Sequence, residues 1–242
     1  MASIPRVLIG IPTFNEIENL PRLVESLHTL CPNADVLVVD DNSEDGTGTW
    51  VDEAGRRDPR VRCLHRPRKL GLGSAILAAM ADAIARDYDY LVIMDADFSH
   101  DPRYVPELVS GMKDADVVIG SFYTPGAATG KSPLWRYVLS RGANLYARLC
   151  LGLAAADCSN AFRCYRVSLL AQLDLSTIRS RGFSFQEEIL WRMVLAGARI
   201  REVPTLFTDR TAGKSKLSWR ELCTGFRIIG TLGLRYRFGM RV

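Results

Sequence analysis

The chain has 242 residues, of which 48% are hydrophobic and 24% charged, with 19 Gly and 11 Pro; these are ordinary values for a soluble globular protein and exclude collagen-like, repeat and disordered chains. At roughly 100–200 residues per domain the length predicts one large domain, alone or with a small appendage. The net charge of +4 hides an asymmetry, because residues 1–120 carry 12 basic against 20 acidic groups and residues 121–242 carry 19 against 7, an arrangement suited to carboxylates and guanidiniums meeting over a ligand with both a metal ion and phosphates.

Along the first half, apolar runs of strand length alternate with amphipathic stretches of helix length, the pattern of a parallel sheet wound with helices. Strands are predicted at Val7–Ile11, Val36–Val39, Val61–Leu64, Tyr90–Met94 and Val117–Ile119. Helices fall between them at Glu18–Leu30, Gly46–Arg57, Leu72–Arg86 and Pro102–Met112, the last opened by an Asp101-Pro102 cap and first-turn pair. The second half predicts a basic helix Trp135–Leu151, a short strand Ala161–Tyr165, a helix Phe185–Leu195, a strand Arg199–Val203 and a helix Trp219–Gly230. No linker or repeat is visible, so 1–215 is read as one α/β domain and 216–242 as a basic amphipathic segment.

In open α/β sheets, ligands bind outside the carboxyl ends of the strands. The first strand is followed by Pro12-Thr13-Phe14-Asn15-Glu16, the second by Asp40-Asp41-Asn42-Ser43, and the fourth by Asp95-Ala96-Asp97-Phe98-Ser99-His100. Asp95 and Asp97, at positions i and i+2, fall on one face of an extended strand, so both can meet one ligand as the chain leaves the sheet. They then suit Mg²⁺ or Mn²⁺ bound together with a diphosphate; a helix N-cap pair beside Asp101 is the other reading of the same tripeptide. Gly71-x-Gly73 either holds an anion at a helix N-terminus or makes a tight turn. Neither G-x-G-x-x-G nor G-x-x-x-x-G-K-[ST] occurs, which argues against a dinucleotide site or a P-loop.

Of the 31 basic residues 26 are Arg, which suits bidentate phosphate contacts or reflects codon usage. The six cysteines and three histidines show neither zinc-ligand nor catalytic-triad spacing, and the thiols are read as reduced, in an intracellular protein. The first residues lack the pattern of a signal peptide, and no run approaches the ~20 apolar residues of a membrane span.

The motifs resemble, nearly end to end, those of glycosyltransferase family 2 and within it the dolichol- or polyprenol-phosphate mannose synthases. PTFNE at 12–16, DDNSEDGT at 40–47, MDADFSH at 94–100, SRGANL at 140–145, DCSNAFRCYR at 157–166, FQEE at 185–188 and FTDRTAGKSKL at 207–217 carry the likeness, in order. The resemblance implies a GT-A fold that binds GDP-mannose. Pro12, Phe14, Glu16, Val39 and Asp41 would hold the guanosine. Asp95, Ala96, Asp97 and Ser99 would surround the metal, Mg²⁺ or Mn²⁺, and the diphosphate, with Arg210 and Lys216 on the phosphate charge. The acceptor would be a dolichyl or polyprenyl phosphate whose oxygen is already ionised at neutral pH, so that no strong general base is needed. Arg136 and Ser140, four apart on a helix, share a face where they could grip that phosphate.

Three departures stand out: Phe14 replaces Tyr, Phe122 replaces the Arg of G-S-R-Y, and Asn160-Ala161 replaces a Gly-Ser or Ser-Gly pair. Other readings of the chain are glucosyl transfer to the same lipid phosphate and a non-catalytic module for a membrane surface; nucleic acid is not an expected partner. The tail places Leu222, Phe226, Ile229 and Leu232 at helical spacing among five arginines. That stripe either lies on a membrane, making the protein peripheral on its cytoplasmic face, or packs on the catalytic domain; an anchoring subunit is a further partner that the lack of a span permits.

Overall fold

A computed structural model describes residues 4–129, 134–180, 182, 184–207 and 219–238; the side chains of 128, 129, 134–136, 207 and 219–222 lie outside the description. The elements are β1 (Val7–Thr13), α1 (Leu20–Leu30), β2 (Asp35–Asp40), α2 (Thr47–Arg57), β3 (Val61–His65), α3 (Leu72–Ala85), β4 (Tyr90–Ile93), α4 (Val105–Gly111), β5 (Val117–Ser121), β6 (Ala128–Thr129), α5 (Leu134–Leu151), β7 (Arg163–Arg166), α6 (Val167–Leu170), α7 (Phe185–Leu195), β8 (Ile200–Pro204), β9 (Leu206–Phe207) and α8 (Trp219–Arg237). Short 3₁₀ turns at Pro102–Tyr104 and Leu175–Thr177 complete the set.

The main sheet runs β3-β2-β1-β4-β7-β5-β8, and β6 pairs with β9 apart from it. Its strands are apolar on both faces because both faces are covered. Leu8, Leu37, Leu91 and Val117 join one core with α3, α5, α7 and α8; Ile9, Val36, Val92 and Val118 join the other with α1, α2 and α4. Gly10 lets α3 approach β1, since a Cβ there would sit 2.9 Å from Ile93 Cδ1 and 3.0 Å from Ala79 Cβ.

The strands of the first half run parallel as expected, and the second half adds one of opposite direction. β7 runs antiparallel between β4 and β5, with Val92 opposite Cys164 and Ile119 opposite Arg163. Its beginning therefore lies at the edge where its neighbours end, and residues 157–162 reach that edge from the opposite chain direction.

Of the two readings of the tail stripe, the described members take the second. Ile229 and Leu232 are buried in the core. Tyr146 Oη donates to Phe226 O at 3.0 Å with the rings 4.9 Å apart, and Arg237 reaches Leu149 O at 2.9 Å. Gly233 permits this close crossing of α5 and α8, for a Cβ there would meet Cys150 O at 2.4 Å. The helix runs to Arg237, seven residues past its expected end.

Candidate active site

The sheet order turns at β1, whose sequence neighbour β2 lies on one side and β4 on the other; the crevice at such a switch point is where open α/β sheets bind ligands. The loops after β1 and β2 are clamped together there. Asp40 accepts from Thr13 Oγ1 at 2.9 Å, Ser43 N at 2.9 Å and Ser43 Oγ at 2.5 Å. Asp45 accepts from Ile17 N and Thr47 N, both at 3.0 Å, and Asn15, at φ +59°, joins Ser43 Oγ and Glu44 N. Most of DDNSEDGT thus holds the crevice wall in shape.

Asp41 differs. Its Oδ2 accepts from Leu70 N at 3.1 Å and Gly71 N at 3.0 Å, with Gly71 at φ +94° ahead of α3. The anion at the Gly71-x-Gly73 turn is therefore this side chain. Arg66 Nη1 lies 2.8 Å from Asp41 Oδ1 as an ion pair, yet neither atom has a well-aligned hydrogen bond although both are buried. Asp41 Oδ1 is thus held at the crevice wall as the partner of the buried Arg66 charge. Pro12 and Val39 are register partners beneath it, Lys69 Nζ stands 3.8 Å over the Phe14 ring, and Glu16 Oε2 accepts from Asn19 Nδ2 at 3.2 Å.

After β4 the chain turns at Phe98, which has φ +60°. Asp97 and Ser99 are buried, Ala96 lies between the carboxylates, and Ser99 N donates to Asp97 Oδ1 at 3.0 Å. Asp95, Asp97 and the Ser99 hydroxyl form an all-oxygen set, the chemistry preferred by Mg²⁺ and Mn²⁺, so the residues fit the expected cation. The turn is braced from β7. Asp95 N donates to His100 Nδ1 at 3.0 Å, and His100 Nε2 lies 3.0 Å from Asn160 Oδ1, which also accepts from Phe162 N. Asn160 Nδ2 is committed to Gly120 O. These bonds fit only the imidazole with its proton on Nε2. Removing it in His100→Ala leaves the Asp95 amide without its acceptor; divalent cation affinity should fall roughly 10–100-fold, measured by Mn²⁺ titration with paramagnetic resonance detection.

The far wall comes from β5, α5 and the segment before β7. Tyr123 Oη donates to Ser140 Oγ at 2.5 Å, Asn144 Oδ1 accepts from Cys158 N at 2.6 Å, and Arg141 stacks over the Tyr123 and Tyr137 rings at 5.0 and 5.5 Å. Below it, Arg163 is fully buried and donates to Gln186 O at 2.7 Å and Cys158 O at 2.6 Å. Burial pushes the Glu187 carboxyl up to about 7, helped by Asp157 and opposed by the Arg163 charge; burial likewise raises Asp157.

The Glu187 shift has a stability consequence. The folded state keeps this proton to about pH 7, whereas an unfolded chain loses it near pH 4.5. Its stabilisation is complete below pH 4.5 and lost as pH rises through 7, a change of about 3 kcal/mol at most. Glu187→Gln, which has no such charge to bury, should gain stability relative to the parent between pH 5.5 and pH 8 in thermal melts. A difference independent of pH would remove Glu187 as the source.

The structure thus gathers Pro12, Phe14, Glu16, Val39, Asp41, Asp95, Ala96, Asp97 and Ser99 at one edge of the sheet, with Ser140 on the adjoining helix. Arg210, Lys216 and the Arg136 side chain lie outside the described residues. Sequence reasoning passed over Arg66 and Lys69, which directly follow β3 and could have been found by the same rule that found the other loops. It also missed Arg141, one residue beyond Ser140.

The match to known proteins follows these loops. The model of "Glycosyl transferase family 2" matches residues 8–174. An undecaprenyl-phosphate mannosyltransferase of Micrococcus luteus is 45% identical over 213 residues, 88% of each chain. A polyprenol monophosphomannose synthase of Mycolicibacterium smegmatis is 42% identical over 234 residues, 96% of this chain and 88% of that one. Among solved structures, a Mycobacterium tuberculosis glucosyl-3-phosphoglycerate synthase in complex with Mn²⁺, uridine diphosphate and glucosyl-3-phosphoglycerate superposes with a TM-score of 0.65 at 18% identity, covering 98% of this chain and 81% of that one. That likeness is one of fold, GT-A. With a match over residues 8–174, more than half its length, the chain belongs to glycosyl transferase family 2.

Proposed function

We propose that the chain is a polyprenyl-phosphate mannosyltransferase that uses GDP-mannose and inverts the anomeric carbon. The observation that carries the reading is the loop of oxygen donors Asp95, Asp97 and Ser99 that follows β4, in a chain 42–45% identical over most of its length to proteins named for this transfer. A lipid phosphate oxygen attacks the mannose anomeric carbon, the bond from that carbon to the diphosphate breaks, and GDP leaves with the electron pair. The Asp41 carboxylate receives guanine N–H groups, while Phe14 under Lys69 and the Pro12–Val39 floor pack the nucleoside; Glu16 completes that wall. A divalent cation, Mg²⁺ or Mn²⁺, held by Asp95, Asp97 and Ser99 would neutralise the departing diphosphate. Arg210 and Lys216 add positive charge to the same phosphates, and Arg136, Ser140 and Arg141 orient the acceptor phosphate. With Phe122 in place of a cation, Arg141 takes a larger share of that charge.

Radiolabel transfer to polyprenyl phosphate, with GDP-mannose and UDP-glucose compared, tests the reading. Cation-dependent transfer from GDP-mannose is expected; equal or preferred transfer from UDP-glucose overturns the sugar assignment, and cation-independent binding without transfer overturns the enzyme.

No helix among the described residues is long and apolar enough to cross a membrane, and on this reading the lipid acceptor is met at a membrane surface. Val138, Leu145 and Leu149 of α5, Leu234 of α8 and Phe238 just past it are exposed, and Arg141, Arg148, Arg227 and Arg237 stand among them. This helix pair, rather than the inward-facing stripe, lies on the cytoplasmic face of the membrane. Sedimentation with anionic vesicles should be salt-sensitive and weakened in Leu149→Asp and Leu234→Asp. Binding unchanged by both substitutions sinks this surface and favours an anchoring subunit.

A further inference from the structure

The edge strand β3 and the helix α2 that covers it bring three metal-ligating side chains together away from the crevice. Cys63 and His65 are two residues apart and so share a face of the strand. Asp52, one turn into α2, comes down on the same spot: His65 Nε2 lies 2.9 and 3.1 Å from its two carboxylate oxygens. One ligand atom from each of Asp52, Cys63 and His65 falls within 4.8 Å of the others. Bonds of about 2.0–2.3 Å to a tetrahedral ion place neighbouring ligand atoms about 3.3–3.8 Å apart, so small side-chain rotations suffice.

We propose that Asp52, Cys63 and His65 form a second cation site, for a zinc-class ion bound through one sulfur, one nitrogen and one oxygen, with the fourth position open to water. The donor set decides the class. Thiolate and imidazole select borderline and soft ions, whereas the Asp95–Ser99 set selects hard ones, so the two sites take different metals from the same solution.

An exposed His–Asp pair by itself contributes little to stability, and about half of each side chain is open to solvent here, 52% for His65 and 47% for Asp52. That exposure gives an ion a path in. The thiol beneath is half-buried and faces carboxylates: burial first, then Asp40 and Asp52, push Cys63 up to about 12. The His65 ring is held in place by the glycine opposite, since a Cβ at Gly48 would sit 2.9 Å from its Cε1. His65 is also the register partner of Asp40, which clamps the donor-side loops, so the site adjoins the crevice wall without sharing a ligand with it.

Reduced, untagged full-length protein titrated with Co²⁺ should develop the thiolate-to-cobalt charge-transfer band at one ion per chain, and Zn²⁺ should abolish it. The band should vanish in Cys63→Ser, and affinity should fall roughly 100-fold in His65→Ala, whose exposed position makes folding secure. Asp97→Ala should keep the band, which separates this site from the one after β4 and makes the test independent of the transferase reading. Absence of a stoichiometric band in the parent, or a band that survives both Cys63→Ser and His65→Ala, overturns the proposal.

Discussion

Asp97→Ala is expected to lower kcat for mannosyl transfer by about 10²–10³-fold while the protein remains folded. Asp97 is buried at the head of a tight turn and accepts from Ser99 N, so on the proposed reading the substitution removes a cation ligand together with the brace that aligns Ser99. On the proposed mechanism the departing diphosphate then carries charge that the crevice neutralises less well, and that charge is larger in the transition state than in the bound donor. Loss of folding is the confound, which a melt of the variant separates from loss of chemistry. Asp97→Asn keeps the turn's hydrogen bond and lowers ligand charge, so it should lose turnover with a melt close to the parent. Near-normal turnover and cation dependence in a folded Asp97→Ala protein would end the assignment of this loop to the donor.

The parallel strands were legible because burial on both faces writes an unbroken apolar run, as in Val36–Val39 and Val117–Ile119. The loops after them were legible because carboxylates seldom follow such runs without a reason. Strand direction was not. Arg163–Arg166 reads the same whichever way it runs, and only the return from α5 sets it antiparallel. Asn160, which orients His100, and Asp157 precede a strand rather than follow one, so their place on the wall is set by the antiparallel direction of β7. The two-residue pair β6 and β9 joins residues far apart in sequence, and no local signal announces it. The tail shows a different limit: Leu222, Phe226, Ile229 and Leu232 have the spacing of an apolar stripe in either environment, and the deciding residues are Gly230 and Gly233, whose missing side chains admit α5.

Arg163→Met should destabilise the fold by about 3–5 kcal/mol, the largest stability effect expected from a single substitution in the site. Arg163 sits on β7 with no solvent exposure, one nitrogen on Gln186 O at the start of α7 and another on Cys158 O ahead of its own strand. Met fills much of the same volume, so the loss is one of hydrogen bonds and charge rather than of packing. Two buried carbonyls would lose their donors, and the buried Asp157 and Glu187 carboxyls would lose the positive charge that opposes the rise in their proton affinity. The deficit should therefore grow with pH, since above pH 7 the variant must either bury an uncompensated Glu187 charge or hold its proton against solution. Chemical denaturation at pH 5.5 and pH 8 reads both parts. The double variant Arg163→Met with Glu187→Gln should recover the pH-dependent part and leave the carbonyl part; full additivity of the two single effects at both pH values would show that Arg163 and Glu187 do not act on one another.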